Sequence, residues 1–285
     1  MNNNDERTLD FPDDIDLPFF AYGIFKPGQL AYSKIKRDVY RAENDVEVDY
    51  EMKLRDGVPI LTDNEGYSGH TKGSIIVFKK GKQERAYAII CKTLLRALYE
   101  WKTIEIDGQK VNVVFGLNPN DGSYYIEDPY ERACFEGKND PFFREVIELI
   151  ERNLDSNEFS WDVRNFFELQ MNYMLLWSAI DRYSALKYNR PRNSWNYERF
   201  AQEKAFGQGI RKFNDESHRP VYSTEDLRIH EYDAENPIET IYYYYTLRCN
   251  VVHRGKAMAS DYDMLKRATE ELLEIFKEVL EDTFD

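Results

Sequence analysis

Residues 161–188 contain neither glycine nor proline, and their apolar side chains recur every three to four positions. Phe166, Leu169, Tyr173, Leu176, Ile180 and Tyr183 therefore share one face of a single long helix. A face so rich in large side chains has to be buried against other helices, which commits the C-terminal half to a helical bundle. Residues 142–154, 197–205, 238–253 and 261–281 read as its partners. The last of these carries Leu265, Ala268, Leu272, Ile275, Phe276 and Val279 on one side. Gly255 reads as the C-cap of the helix before it. Pro220 and a polar composition mark residues 211–236 as an irregular excursion.

Before about residue 140 the period is different. Residues 18–25 read as a strand that enters a Lys26-Pro27-Gly28 turn. Val46, Val48, Tyr50, Met52 and Leu54 alternate with polar residues, the pattern of a half-buried strand. Residues 73–78 form another. Residues 84–101 are helix-prone for much of their length. Ile104 and Ile106, then Val111, Val113 and Phe115, flank Asp107-Gly108, a hairpin signature, and Asp121-Gly122 marks a further turn. The chain thus reads as α+β: a loose acidic tail over residues 1–14, an α/β domain over 15–135, and an all-α domain over 140–285.

The formal net charge of −14 argues against a nucleic-acid coat protein. The positive charge is nevertheless segregated. Arg182, Lys187, Arg190, Arg192, Arg199, Lys204, Arg211, Lys212 and Arg219 fall within residues 182–219, against four carboxylates. No apolar run approaches the ~18 residues of a membrane span, and the N-terminus lacks the basic and apolar regions of a signal peptide. Cys91, Cys134 and Cys249 have no zinc-ligand spacing. These features predict a cytoplasmic protein with reduced cysteines, no metal, no organic cofactor and no membrane partner.

The segment Thr246-Leu247-Arg248-Cys249-Asn250-Val251-Val252-His253-Arg254-Gly255-Lys256 carries the most chemistry. RNA supplies its own nucleophile, the 2′-hydroxyl. Histidine exchanges protons near neutral pH, and arginine offers paired N–H donors to a charged phosphorane. Five residues apart on a helix, Arg248 and His253 point about 140° from each other, so one cleft uses both only if a second helix or subunit closes it. The competing reading is a histidine that caps a helix end.

Residues 140–285 resemble the HEPN superfamily. The resemblance rests on Arg248-Cys249-Asn250, on His253 followed by Gly255 and Lys256, on the aromatic run Tyr242 to Tyr245, on Trp177-Ser178-Ala179-Ile180-Asp181-Arg182-Tyr183, and on the last helix starting near Asp261. It implies a metal-independent endoribonuclease that leaves 2′,3′-cyclic phosphate ends, acts as a symmetric homodimer, spares DNA and belongs to toxin or host-defence systems. Arg248 and His253 would be catalytic. Asn250 either orients the phosphate or His253, or simply packs. Arg182, Lys187, Arg190, Arg192, Arg254 and Lys256 are the candidates for RNA contact.

In the N-terminal half, Tyr22-Gly23-Ile24-Phe25-Lys26-Pro27-Gly28-Gln29 resembles the opening motif of the γ-glutamyl cyclotransferase-like family, with Gly57-Val58-Pro59 and Gly73 in agreement. The resemblance implies a small β-barrel/α domain in which the backbone N–H groups of residues 22–25 hold a ligand's carboxylate. It also implies a glutamate at the end of the central helix as acid/base. Aligning Leu98-Tyr99-Glu100-Trp101-Lys102 puts Lys102 in that place, with Glu100 nearby. The N-terminal domain is therefore expected to sense a small molecule or protein segment rather than to catalyse. The alternatives are a cyclotransferase with a helical dimerisation domain, and a non-catalytic interaction protein.

Overall fold

The computed structural model describes residues 8–55, 58–63, 70–94, 96–117, 124–125, 140–156, 162–188, 193–215, 218–223, 228–254 and 259–284. The chain divides after Asp140 into two compact units. No helix among the described residues is long and apolar enough to cross a membrane.

The first unit runs β1 (Phe19–Ala21), α1 (Tyr32–Ile35), a 3₁₀ turn (Lys36–Asp38), β2 (Val39–Val48), β3 (Glu51–Arg55), β4 (Val58–Thr62), β5 (Thr71–Phe78), α2 (Gln83–Thr93), β6 (Tyr99–Ile106), β7 (Gln109–Gly116) and β8 (Tyr124–Tyr125). Among these residues there are two sheets in place of one closed barrel: β2-β5-β1-β7-β6 and β4-β3-β8. β1 pairs antiparallel with β5 and parallel with β7, so the larger sheet is mixed. The two sheets meet where Gly116 passes Ile60. A Cβ on Gly116 would stand 2.6 Å from that side chain, so no larger residue fits without a shift.

Three expectations need correction. The alternating run from Val46 to Leu54 is not one strand; it leaves β2 at Val48 and enters β3, in the other sheet, at Glu51. Alternation encodes which way side chains point and not which sheet receives them. Helix α2 ends at Thr93, whose hydroxyl donates to the Ile89 carbonyl at 2.8 Å, and Leu94 is extended. Residues 99–101 therefore belong to a strand, as the apolar-polar alternation Tyr99-Glu100-Trp101-Lys102 dictates. Finally, residues 9–14 are not a loose tail. Leu9 is buried and its N–H donates to the Cys91 carbonyl; the Asp10 carbonyl accepts from the Trp101 indole at 2.7 Å. The buried Asn112 amide donates to the Asp14 carbonyl and to the Tyr87 hydroxyl. One β7 side chain thus fastens the N-terminal segment to α2.

The second unit runs α3 (Pro141–Ser156), α4 (Val163–Tyr188), α5 (Asn193–Ala201), α6 (Lys204–Lys212), β9 (Pro220–Tyr222), β10 (Ile229–Glu231), α7 (Pro237–Arg254) and α8 (Ala259–Phe284). It is not all-α: β9 and β10 pair antiparallel, with Tyr222 opposite Ile229, inside the stretch expected to be irregular. The long helix appears where its period puts it, and its six apolar positions are buried, as are the six on α8. Asn236 caps α7, its carboxamide oxygen accepting from the Glu239 N–H, and Pro237 takes the first helical position.

A buried carboxylate joins three elements of this unit. Glu271 on α8 is 3% exposed. It accepts both prongs of a bond from Arg219 Nη1, at 2.8 and 3.0 Å, another from Arg267 Nε at 2.8 Å, and one from the Tyr244 hydroxyl of α7 at 2.9 Å. Arg219 lies 3.6 Å over the Tyr232 ring. Two guanidiniums and a phenol leave the carboxylate fully solvated by protein. Removing it strands Arg219 without its counter-ion in a site 10% exposed. Glu271→Ala should therefore cost about 3–5 kcal/mol, read as a lowered urea midpoint. A loss below about 1 kcal/mol would show that the network is ornamental.

Candidate functional site

Helix α7 presents Arg248 in its penultimate turn. The side chain lies along the rings of Trp177 and Tyr245, with the guanidinium carbon 6.0 and 5.6 Å from their centroids. Trp177, Tyr197 and Tyr245 pack edge-on and tilted at 5.0 to 5.7 Å, a rigid aromatic wall. The nearest carboxylate is Asp181 on α4. Its Oδ2 is 3.7 Å from Arg248 Nη2, too long for a hydrogen bond, while its Oδ1 accepts from the Tyr197 hydroxyl at 2.6 Å. Arg248 Nε is buried without an acceptor among the described residues. The guanidinium is a quarter exposed. It is thus oriented by aromatic packing and a long ion pair, with no hydrogen bond to its donors among the described residues. Burial, then the bond to Asp181, pushes the Tyr197 phenol above its usual range.

Asn250 lies about 200° round the helix from Arg248 and faces another way. Its amide nitrogen donates to the Tyr222 carbonyl at 2.8 Å. The structure therefore does not bring Asn250 and Arg248 together. The His253 backbone is in the last turn of α7; its side chain lies outside the described residues. By helix geometry it is three positions, about 60°, from Asn250 and about 140° from Arg248. Asp181 and Tyr197, which position Arg248, were not expected as site residues. Asp181 stands in the stretch around Trp177, but nothing in the sequence pairs it with α7.

The basic candidates divide. Arg182 packs over the Phe142 ring at 5.6 Å. Lys187 is paired with Glu203 at 2.7 Å and also donates to the Tyr183 and Thr283 hydroxyls. It is a structural tie between α4, α8 and the residues before α6, and not a free cation awaiting phosphate. Arg219 is consumed by Glu271, and Arg211 and Lys212 pair with Glu235 and Glu278. Arg190, Arg192, Lys256 and Gly255, the expected C-cap, lie outside the described residues, as does the Arg254 side chain. Four of the nine cations in the stretch, Lys187, Arg211, Lys212 and Arg219, are thus paired with carboxylates.

In the first unit, Tyr22, Gly23, Ile24 and Phe25 line a cavity of about 90 Å³ with Pro59, Thr93, Leu94, Leu98, Tyr99 and Val114. The Tyr22 hydroxyl donates to the Val114 carbonyl at 2.9 Å and accepts from the Leu61 N–H at 3.3 Å. Burial raises its pKa well above the usual phenol value. The Gly23 carbonyl accepts from Lys26 N–H, and Lys26-Pro27-Gly28-Gln29 closes a type II turn, with Gly28 at φ +86°. Among the described residues nothing accepts from the backbone N–H groups of Gly23, Ile24 and Phe25. Gly23, Ile24 and Phe25 form part of the wall of this largely apolar cavity.

Glu100 and Lys102 do not line this cavity. They occupy the other face of β6 from Tyr99, because the segment expected to end a helix is a strand. Lys102 pairs with Asp63 at 3.3 Å and with Glu100 at 3.7 Å, over the Phe115 ring. The position inside the cavity belongs to Tyr99, whose hydroxyl is bonded to the Pro59 carbonyl. No carboxylate or imidazole appears among the described lining residues.

Among the described residues no three His, Cys, Asp or Glu side chains cluster to hold a metal ion. Burial pushes the Cys91 thiol up to about 11, so it is not a poised nucleophile. Comparison of the chain with protein-family models, with curated proteins and with solved structures finds no match in any of the three.

Proposed function

We propose that the helical unit is a metal-independent endoribonuclease and that the N-terminal unit binds a ligand that governs it. The observation that carries this reading is Arg248: a guanidinium fixed by an aromatic wall, partly exposed, and left with uncommitted donors near the end of the helix that also bears His253.

In the reaction, a base removes the 2′-hydroxyl proton as that oxygen attacks phosphorus. The P–O5′ bond breaks, and the departing O5′ receives a proton. The products are a 2′,3′-cyclic phosphate and a 5′-hydroxyl. Arg248 neutralises the charge on the non-bridging oxygens through paired N–H donors, and His253 transfers protons. One imidazole cannot accept and donate in the same event. A homodimer supplies the second, and also closes a cleft that two side chains about 140° apart leave open.

The cyclotransferase alternative is disfavoured by the N-terminal cavity itself. Its chemistry needs a group that shuttles a proton from the substrate amine, and the described lining offers only hydroxyls. A cavity walled by the Gly23 to Phe25 backbone and without a base among its described lining is suited to hold a carboxylate and not to process it.

Incubated with RNA in EDTA, the protein should generate fragments with 5′-hydroxyl ends and leave DNA intact. Arg248→Ala and His253→Ala should each lower the rate by about 10²-fold or more with unchanged circular dichroism. Mutants that cut like the parent, or a light-scattering monomer that retains full activity, would contradict the assignment. For the N-terminal unit, a screen of γ-glutamyl compounds should detect no release of 5-oxoproline. Leu98→Trp, which fills the cavity, should abolish binding of any carboxylate ligand that the parent takes up. Turnover by the parent would restore the cyclotransferase reading.

A further inference from the structure

A second cavity, of about 110 Å³, opens in the helical unit between α7, the start of α8 and β9. Its walls are apolar, formed by Phe166, Leu247, Val251 and Leu265. Two polar side chains interrupt them, and each carries a buried oxygen with no hydrogen-bond partner among the described residues: Asn250 Oδ1 and Asp261 Oδ2. Asn250 is 8% exposed. Its orientation is fixed, because its amide nitrogen donates to the Tyr222 carbonyl, and the flipped rotamer would set oxygen against oxygen. An unsatisfied acceptor so deeply buried costs about 1–3 kcal/mol, so two on the wall of one cavity mark a place for a ligand that brings donors. At the rim stands Tyr222, 61% exposed although it is a large aromatic on a β-ribbon.

We propose that this cavity takes the guanine base of the RNA substrate; the inference rests on the ribonuclease reading and deepens it. At about 110 Å³ the cavity is smaller than the roughly 150 Å³ that holds benzene, so it takes the polar edge of a base and leaves the rest of the ring system at the mouth. The polarity then selects among bases. Guanine presents N1–H and the N2 amino group side by side, two donors for two acceptors. Adenine and cytosine each set one amino donor beside a ring-nitrogen acceptor, which would face an oxygen. Uracil has a single N–H between two carbonyls. Tyr222 offers a face for stacking, the usual way a protein holds an unpaired base. Location agrees as well. Asn250 and His253 are three residues apart on α7, about 4.5 Å along its axis. A base seated here would leave its phosphate within a nucleotide's reach of the end of α7 that bears His253.

The test is calorimetric titration of the full-length chain with guanosine, adenosine, cytidine, uridine and inosine monophosphates. All five carry the same phosphate, so differences report the base. Guanosine monophosphate should bind at least about tenfold tighter than the adenosine, cytidine and uridine nucleotides. Inosine monophosphate, which lacks the N2 amino group, should lose about tenfold, the worth of one hydrogen bond. Asp261→Asn keeps the shape and exchanges an acceptor for a donor, so it should erase the preference. Met264→Trp, on the same wall, should block binding by bulk even if the first variant folds poorly. Equal binding of all the nucleotides, or a preference that survives Asp261→Asn, overturns the inference. Cutting of RNA without preference for guanosine, together with equal nucleotide binding, sinks this inference and leaves the ribonuclease. Selective guanosine binding by a chain that cuts no RNA sinks the ribonuclease and leaves the pocket.

Discussion

The buried carboxylate of Glu271 is the constraint on which the helical unit depends. An ion at 3% exposure is tolerated only when its lone pairs are filled. The partners that fill them come from three places: Arg267 one turn away on α8, Arg219 ahead of the β9–β10 ribbon, and Tyr244 in the middle of α7. Hydrophobic packing holds helices together but permits sliding and rotation. A carboxylate that must meet two guanidiniums and a phenol does not. Tyr244 is also gripped from the other side, since its carbonyl accepts the Tyr173 hydroxyl of α4 at 2.7 Å. The rotation and height of α7 are thereby set at one residue.

That setting decides what the rest of α7 can do. Arg248 is one turn beyond Tyr244, and with the helix fixed it lands against the Trp177, Tyr197 and Tyr245 rings, near Asp181 but not bonded to it. Asn250, on the opposite flank, reaches the Tyr222 carbonyl and is left with an oxygen facing a cavity. The two flanks carry different chemistry, cationic on one and hydrogen-bond accepting on the other, and the backbone of His253 follows in the last turn. Such a division suits a substrate with a phosphate to be neutralised and a base to be recognised. A small uncharged ligand would use only one of the flanks.

The long helices were legible because their period is enforced by burial: every apolar position singled out on α4 and α8 is in the core. Charge was legible as a count and misleading as a map. Lys187, Arg211, Lys212 and Arg219 form a basic stretch in sequence, yet each meets a carboxylate brought from elsewhere by the fold, and pairing at sequence separations as wide as 66 residues has no local signal. The β9–β10 ribbon was missed because three-residue strands are too short to establish a period. In the first unit the Lys26 to Gln29 turn and the Asp107-Gly108 hairpin were announced by their own residues, whereas the junction of α2 and β6 was not. Alternation from Tyr99 onward was readable there, and it was overridden by the helical propensity of the residues before it. That one misplacement carried Glu100 and Lys102 into a pocket that in fact holds Tyr99.

The central claim is the proposed cleavage of RNA without a metal, with the His253 imidazole as proton carrier and Arg248 on the phosphate. The rate of cleavage in EDTA as a function of pH tests it most directly. Imidazole titrates near 6.5 in its ordinary state, so a mechanism that needs one protonated and one neutral histidine across a dimer predicts a bell-shaped rate between about pH 5 and 8. A rate that is flat across that range, or that appears only when a divalent cation is restored, would contradict the account.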